Sequence, residues 1–129
     1  MANNPVRWFE IYVQDMTRAK TFYESVFHVK LNKLKTPVSL DKPGLELWAF
    51  PSDKEGWGCS GALVKMEGVS SSGGGTIVYF GSDDCAVEEK KIVKAGGQIH
   101  CSKMSIGEYG FILLALDSEG NMIGVHSMK

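Results

Sequence analysis

Glu10 is the residue most suited to chemistry near the start of the chain, and it stands between two aromatics. Over Trp8–Val13 the apolar residues Phe9, Ile11 and Val13 alternate with Trp8, Glu10 and Tyr12. That period of two is the pattern of a strand, and its parity puts an indole, a carboxylate and a phenol on one face. Near the other end, Asn121–Ser127 reads as a strand with Met122, Gly124 and His126 on one face. A carboxylate and an imidazole within hydrogen-bond reach form an acid–base pair for proton transfer. Glu10 and His126 are therefore the candidate catalytic residues. Apolar surroundings favour the neutral carboxyl and so make it a better base. The competing reading gives Glu10 a Lys, Arg or backbone partner and leaves His126 a half-exposed strand residue.

Other residues offer less. His100 and Cys101 are neighbours, but adjacent residues of a strand point to opposite faces and cannot pair. His28 falls at the end of a helical pattern, where an imidazolium suits the negative end of the macrodipole. Gly73-Gly-Gly75 precedes a strand rather than a helix, and no Gly-Lys-Ser/Thr follows, so it is no phosphate cradle. The aromatics are candidate walls for a planar or apolar ligand: Trp8 and Tyr12 beside Glu10, Trp48 on a later strand, Trp57 on a loop, and Tyr109 with Glu108 on a loop at the rim. Plain filling of space by these rings is the alternative.

The elements that must position them follow from periodicity. Asp15 is a plausible N-cap for a helix over Thr17–Phe27, where Ala19, Phe22, Tyr23, Val26 and Phe27 keep amphipathic spacing. Strands are predicted at Val29–Lys35, Leu45–Phe50 and Ser60–Met66, with a turn-rich stretch, Thr36–Gly44, before the second. Gly68–Gly75 is a Ser/Gly linker. Beyond it the order begins again: a strand at Thr76–Gly81, a helix from Asp83 or Asp84 to Ala95 closed by Gly96-Gly97, and strands at Gln98–Ser102, Tyr109–Leu116 and Asn121–Ser127. The tight turn Asp117–Gly120 makes the last two a hairpin. The chain thus reads as α+β, with βαβββ twice: modules 1–67 and 76–129 joined by the linker 68–75, offset by about 68 residues.

Composition narrows the function classes. Fourteen Lys+Arg against fifteen Asp+Glu in 129 residues give a net charge of −1. That balance argues against a nucleic-acid partner bound through its phosphates. A chain of this length can bury about two thirds of the surface it exposes when unfolded. The longest apolar run, Phe111–Leu116, is far short of the ~20 residues that cross a bilayer, so no membrane partner is expected. Cys59, Cys85 and Cys101 form no CxxC pair and leave one over, which fits reduced thiols. With no signal-peptide pattern at the start, a cytoplasmic protein is expected.

Three segments resemble a known superfamily: Trp8–Phe27, Ala95-Gly-Gly-Gln98 and Gly110–Ser127. They look like the glyoxalase / bleomycin-resistance / extradiol-dioxygenase proteins, also called vicinal oxygen chelate proteins, and in particular small glyoxalase-like bacterial members. The resemblance implies two βαβββ modules whose curved mixed sheet forms a cup, and a homodimer. It places Trp8, Glu10 and Tyr12, and likewise Met122, Gly124 and His126, on the cup face. In metal-dependent members four ligands come from the first and fourth strands of each module. Here those positions fall at Trp8, at Ala62 or Leu63, at Thr76 or Ile77, and at Gly124. None is His, Glu or Asp, and only a two-residue shift brings in Glu10 or His126. No metal and no other cofactor is therefore expected.

Three functions stay in play. The first is small-molecule binding, or a metal-independent transformation, with Glu10 and His126 as polar anchors and Trp8, Tyr12, Trp48 and Tyr109 as the ligand-binding walls. The alternative is a divalent-metal-dependent lyase or isomerase of the glyoxalase type with rearranged ligands. The last is a partner-binding module with a cup filled by its own side chains.

Overall fold

Phe9, Ile11 and Val13 are drawn to one side of the first strand by the helix that follows it. A computed structural model describes residues 4–36, 44–72 and 74–129. The predicted turn around Pro37 and Pro43, and Gly73 of the linker, lie outside the described residues. Two compact units are present among them. Residues 8–36, 44–72 and 74–76 make up the N-terminal unit; residues 4–7 and 77–129 make up the C-terminal one.

In the N-terminal unit β1 (Val6–Tyr12) leads into α1 (Met16–Phe27), followed by β2 (Asn32–Lys33), β3 (Glu46–Ala49) and β4 (Ser60–Lys65). The strands lie in the order β2-β3-β4-β1. β1 runs parallel to β4, and β3 antiparallel to both β2 and β4. Asp15 caps α1 as its sequence position suggests, its Oδ1 accepting the Arg18 N–H at 3.0 Å. The helix closes at His28, which takes the left-handed conformation (φ 53°). Val13, Met16, Leu31 and Leu63 form the core between helix and sheet, with Ile11, Tyr23, Trp48 and Phe50 packed around it.

The strand predicted at Val29–Lys35 shrinks to two residues, and the reason is local. Leu31 is drawn into the core (2% exposed). Its N–H donates to Oε2 of Glu24 on α1 at 2.8 Å, so the ladder starts only at Asn32.

The C-terminal unit repeats the plan. β5 (Thr76–Gly81), α2 (Cys85–Lys94), β6 (Gln98–Ser105), β7 (Phe111–Leu116) and β8 (Met122–Ser127) lie in the order β5-β8-β7-β6. β5 is parallel to β8, and β7 is antiparallel to both of its neighbours. Cys85, Leu113, Ala115 and Val125 form its core under α2. Two predicted bounds change. β6 runs on to Ser105 through register shifts near Cys101 and before Met104, where the alternation in sequence is lost. Tyr109 is not in β7; it ends a 3-10 turn, Gly107–Tyr109. Each unit is α+β with a mixed sheet. Among the described residues no helix is long and apolar enough to cross a membrane.

Asp84, not Asp83, caps α2. Its Oδ1 accepts the Ala86 N–H at 3.0 Å and the Lys103 ammonium at 2.8 Å. The Lys103 bond, then the Ala86 amide, holds this carboxyl below the usual carboxylate range. A lowered folded value means the contribution is present above the ordinary Asp range, about pH 4, and is lost as pH falls through the folded value. Asp84→Asn is therefore expected to be less stable than the wild type at about pH 7, with the gap closing near pH 2. Urea melts at the two pH values check this.

Candidate functional site

β1 and β4 fix the faces of the N-terminal sheet. The register pairs Ile11 with Leu63, and both pack towards α1. The opposite face therefore carries Trp8, Glu10 and Tyr12 beside Ser60, Ala62 and Val64. Next along, on β3, Ala49 pairs with Ala62 and Leu47 with Val64. This face is apolar apart from Ser60 and one carboxylate.

That carboxylate is held by its own strand neighbours. The Trp8 indole Nε1–H donates to Glu10 Oε2 at 3.2 Å, and the Tyr12 hydroxyl donates to Oε1 at 2.9 Å. Residues two apart on a strand share a face, so all three groups meet without any long-range help. Trp8 and Glu10 are half-buried and Tyr12 is 8% exposed. Burial first, then the charge of Glu10, pushes the Tyr12 phenol well above its ordinary range. It stays a protonated donor at any physiological pH. Both donors stabilise ionised Glu10 over its acid form, which makes it a better anchor for a ligand than a base.

Trp48 departs from the expectation. It pairs with Leu63 and packs against the core under α1, where the Lys20 ammonium lies 3.4 Å from its ring centroid. Parity from β4 thus puts it on the face opposite Glu10, and it cannot share a wall with Trp8 and Tyr12. Trp57 is fully exposed on its loop.

In the C-terminal unit Val125 and Leu113 face α2, so His126 and Gly124 lie on the other face with Tyr79, the register partner of Gly124. His126 Nε2 lies 2.6 Å from the Tyr109 carbonyl oxygen. A carbonyl only accepts, so Nε2 carries the hydrogen, and in the neutral ring Nδ1 is the acceptor. Tyr109 thus touches His126 through its backbone, with its side chain 39% exposed.

The same unit holds a cleft of about 390 Å³ that the sequence did not suggest. It is lined by Arg7, Ser82, Asp83, Asp84 and Glu88 among others, and by none of the predicted site residues. Arg7 lies close over Gly81, where an added Cβ would sit 2.1 Å from its Nε. No local pattern announces that approach.

The donor set for a divalent metal is poor. Among the described residues no group of three or more His, Cys, Asp or Glu could hold one. Tyr79 gives a physical reason on β8: an added Cβ at Gly124 would sit 2.3 Å from its ring. The ring takes the room a longer side chain there would need. On β4 the corresponding residue is Ala62, fully buried. The residues present do not fit the ion that the fold's metal-dependent members use.

No protein-family model matches the sequence, and no curated protein matches it. Solved structures do. Methylmalonyl-CoA epimerase from Mycobacterium tuberculosis superposes with a TM-score of 0.69 at 14% identity, covering 97% of this chain and 88% of that one. A Streptomyces coelicolor methylmalonyl-CoA epimerase variant in complex with 2-nitronate-propionyl-CoA gives 0.66 at 16% identity, covering 98% of each chain. A hypothetical protein from Bacillus halodurans gives 0.68 at 13%, covering 96% and 94%. The epimerases are vicinal oxygen chelate enzymes. At these identities the likeness is one of fold, and the fold is the glyoxalase-like one.

Proposed function

We propose that the protein binds a small organic molecule against the Trp8–Glu10–Tyr12 face of β1, without a metal ion between ligand and protein. One observation carries the reading. Two ring donors converge on a single carboxylate within an otherwise apolar sheet face. Ligand sites have this composition: apolar walls and a few polar groups held in place before the ligand arrives. Because its two donors weaken Glu10 as a base, its role is to anchor. In a metal-independent transformation the proton acceptor is then His126 Nδ1.

A panel of small organic molecules, acyl-CoA thioesters among them, tests the reading against the full chain. The readout is the indole N–H resonance of Trp8, assigned with Trp8→Phe. Ligands that shift it are expected to bind roughly ten- to a hundredfold more weakly to Glu10→Gln, the usual effect of losing a hydrogen bond to a charged group. A panel that leaves the resonance unmoved overturns the proposal. So does binding that requires an added divalent ion, which is the signature of the metal-dependent lyase or isomerase.

A further inference from the structure

We infer that the ligand end seated on this face is an organic cation (an amidinium, a guanidinium or a primary ammonium) held by Glu10 beside the Trp8 and Tyr12 rings. The inference rests on the binding reading above and adds the charge of the ligand to it.

The first ground is the ionisation of Glu10. The Trp8 indole and the Tyr12 phenol are both neutral donors. They favour the carboxylate over the acid and bring no positive charge to it. Each oxygen that accepts one of these bonds has a second lone pair, so a ligand N–H can join without displacing either ring. A fork of two N–H groups matches the two oxygens.

The second ground is what surrounds the carboxylate. Its register partner on β4 is Ala62, flanked on that face by Ser60 and Val64. Leu47 and Ala49 continue the face on β3. A half-buried anion among apolar side chains interacts with a positive group more strongly than an exposed one does. The faces of indole and phenol rings add to that attraction. A ligand carboxylate brought to the same place meets like charge. A neutral amide supplies the hydrogen bonds and lacks the charge.

Three probes of one shape separate these cases: benzamidinium, benzamide and benzoate. Each is titrated against the full chain while the Trp8 indole N–H is followed. Benzamidinium is expected to bind at least about tenfold more tightly than benzamide, and benzoate not to shift the resonance. The advantage over benzamide should shrink as salt is added and vanish in Glu10→Gln. Equal binding of benzamidinium and benzamide to the wild type overturns the cation inference and leaves small-molecule binding standing. Silence from all three probes and from the wider panel overturns both. The wild-type ratio and its salt dependence decide the matter even if Glu10→Gln fails to fold.

Discussion

Leu63→Ala is expected to lower the free energy of unfolding by about 3 kcal/mol, within the range of about 2–5 for such truncations in a core. Leu63 has no exposed surface. It sits mid-strand on β4 between Ile11 and Trp48 and closes the cluster of Val13, Met16 and Leu31 under α1. Truncation removes the packing of several methyl groups and leaves a void that two hydrogen-bonded neighbour strands cannot collapse to fill. Urea unfolding with an unchanged m-value measures the loss. A drop below about 1 kcal/mol would show that this cluster is not the core of its unit.

Gly124→Glu is expected to cost at least about 2 kcal/mol and to restore no tight divalent-metal binding. The substitution puts a carboxylate where the superfamily resemblance places a ligand. It must first displace the Tyr79 ring, since the new Cβ would lie 2.3 Å from one ring carbon and 2.4 Å from the next. Tyr79 is 5% exposed, so its ring has little room to retreat. Pairing the change with Tyr79→Ala should give a double variant more stable than the two single effects predict, because the clash is shared. Urea melts of the four proteins, with calorimetric zinc titration of each, check both parts. Tight zinc binding by Gly124→Glu alone would refute the claim that Tyr79 closes the position.

The sequence made one class of feature readable. Strand parity brings Trp8, Glu10 and Tyr12 together, and the bonds between them need only neighbours two residues apart. The Asp15 cap, β5 and the β7–β8 hairpin are local in the same sense. What stayed hidden depends on residues far apart in the chain. The shortness of β2 follows from Glu24 taking the Leu31 amide. The face that Trp48 occupies depends on a register running from Trp48 through Leu63 to Ile11, which no periodicity within β3 can reveal. The contact of His126 with Tyr109 spans seventeen residues and a 3-10 turn. A Lys or Arg partner for Glu10 was the natural expectation; two neutral ring donors stand there, and they change its role from base to anchor.

The two-residue length of β2 also bears on how the protein stays dispersed. β2 ends the strand order of its unit, as β6 ends that of the other. An open strand end offers unpaired amides and carbonyls to any passing extended chain, the usual beginning of aggregation. β2 is too short to template such pairing. β6 is long, but its register shifts twice and its Lys103 N–H is taken by Glu89 Oε1 at 2.7 Å. The same Glu24 and Glu89 contacts that set the strand bounds thus work against the stacking of one molecule's sheet onto another's.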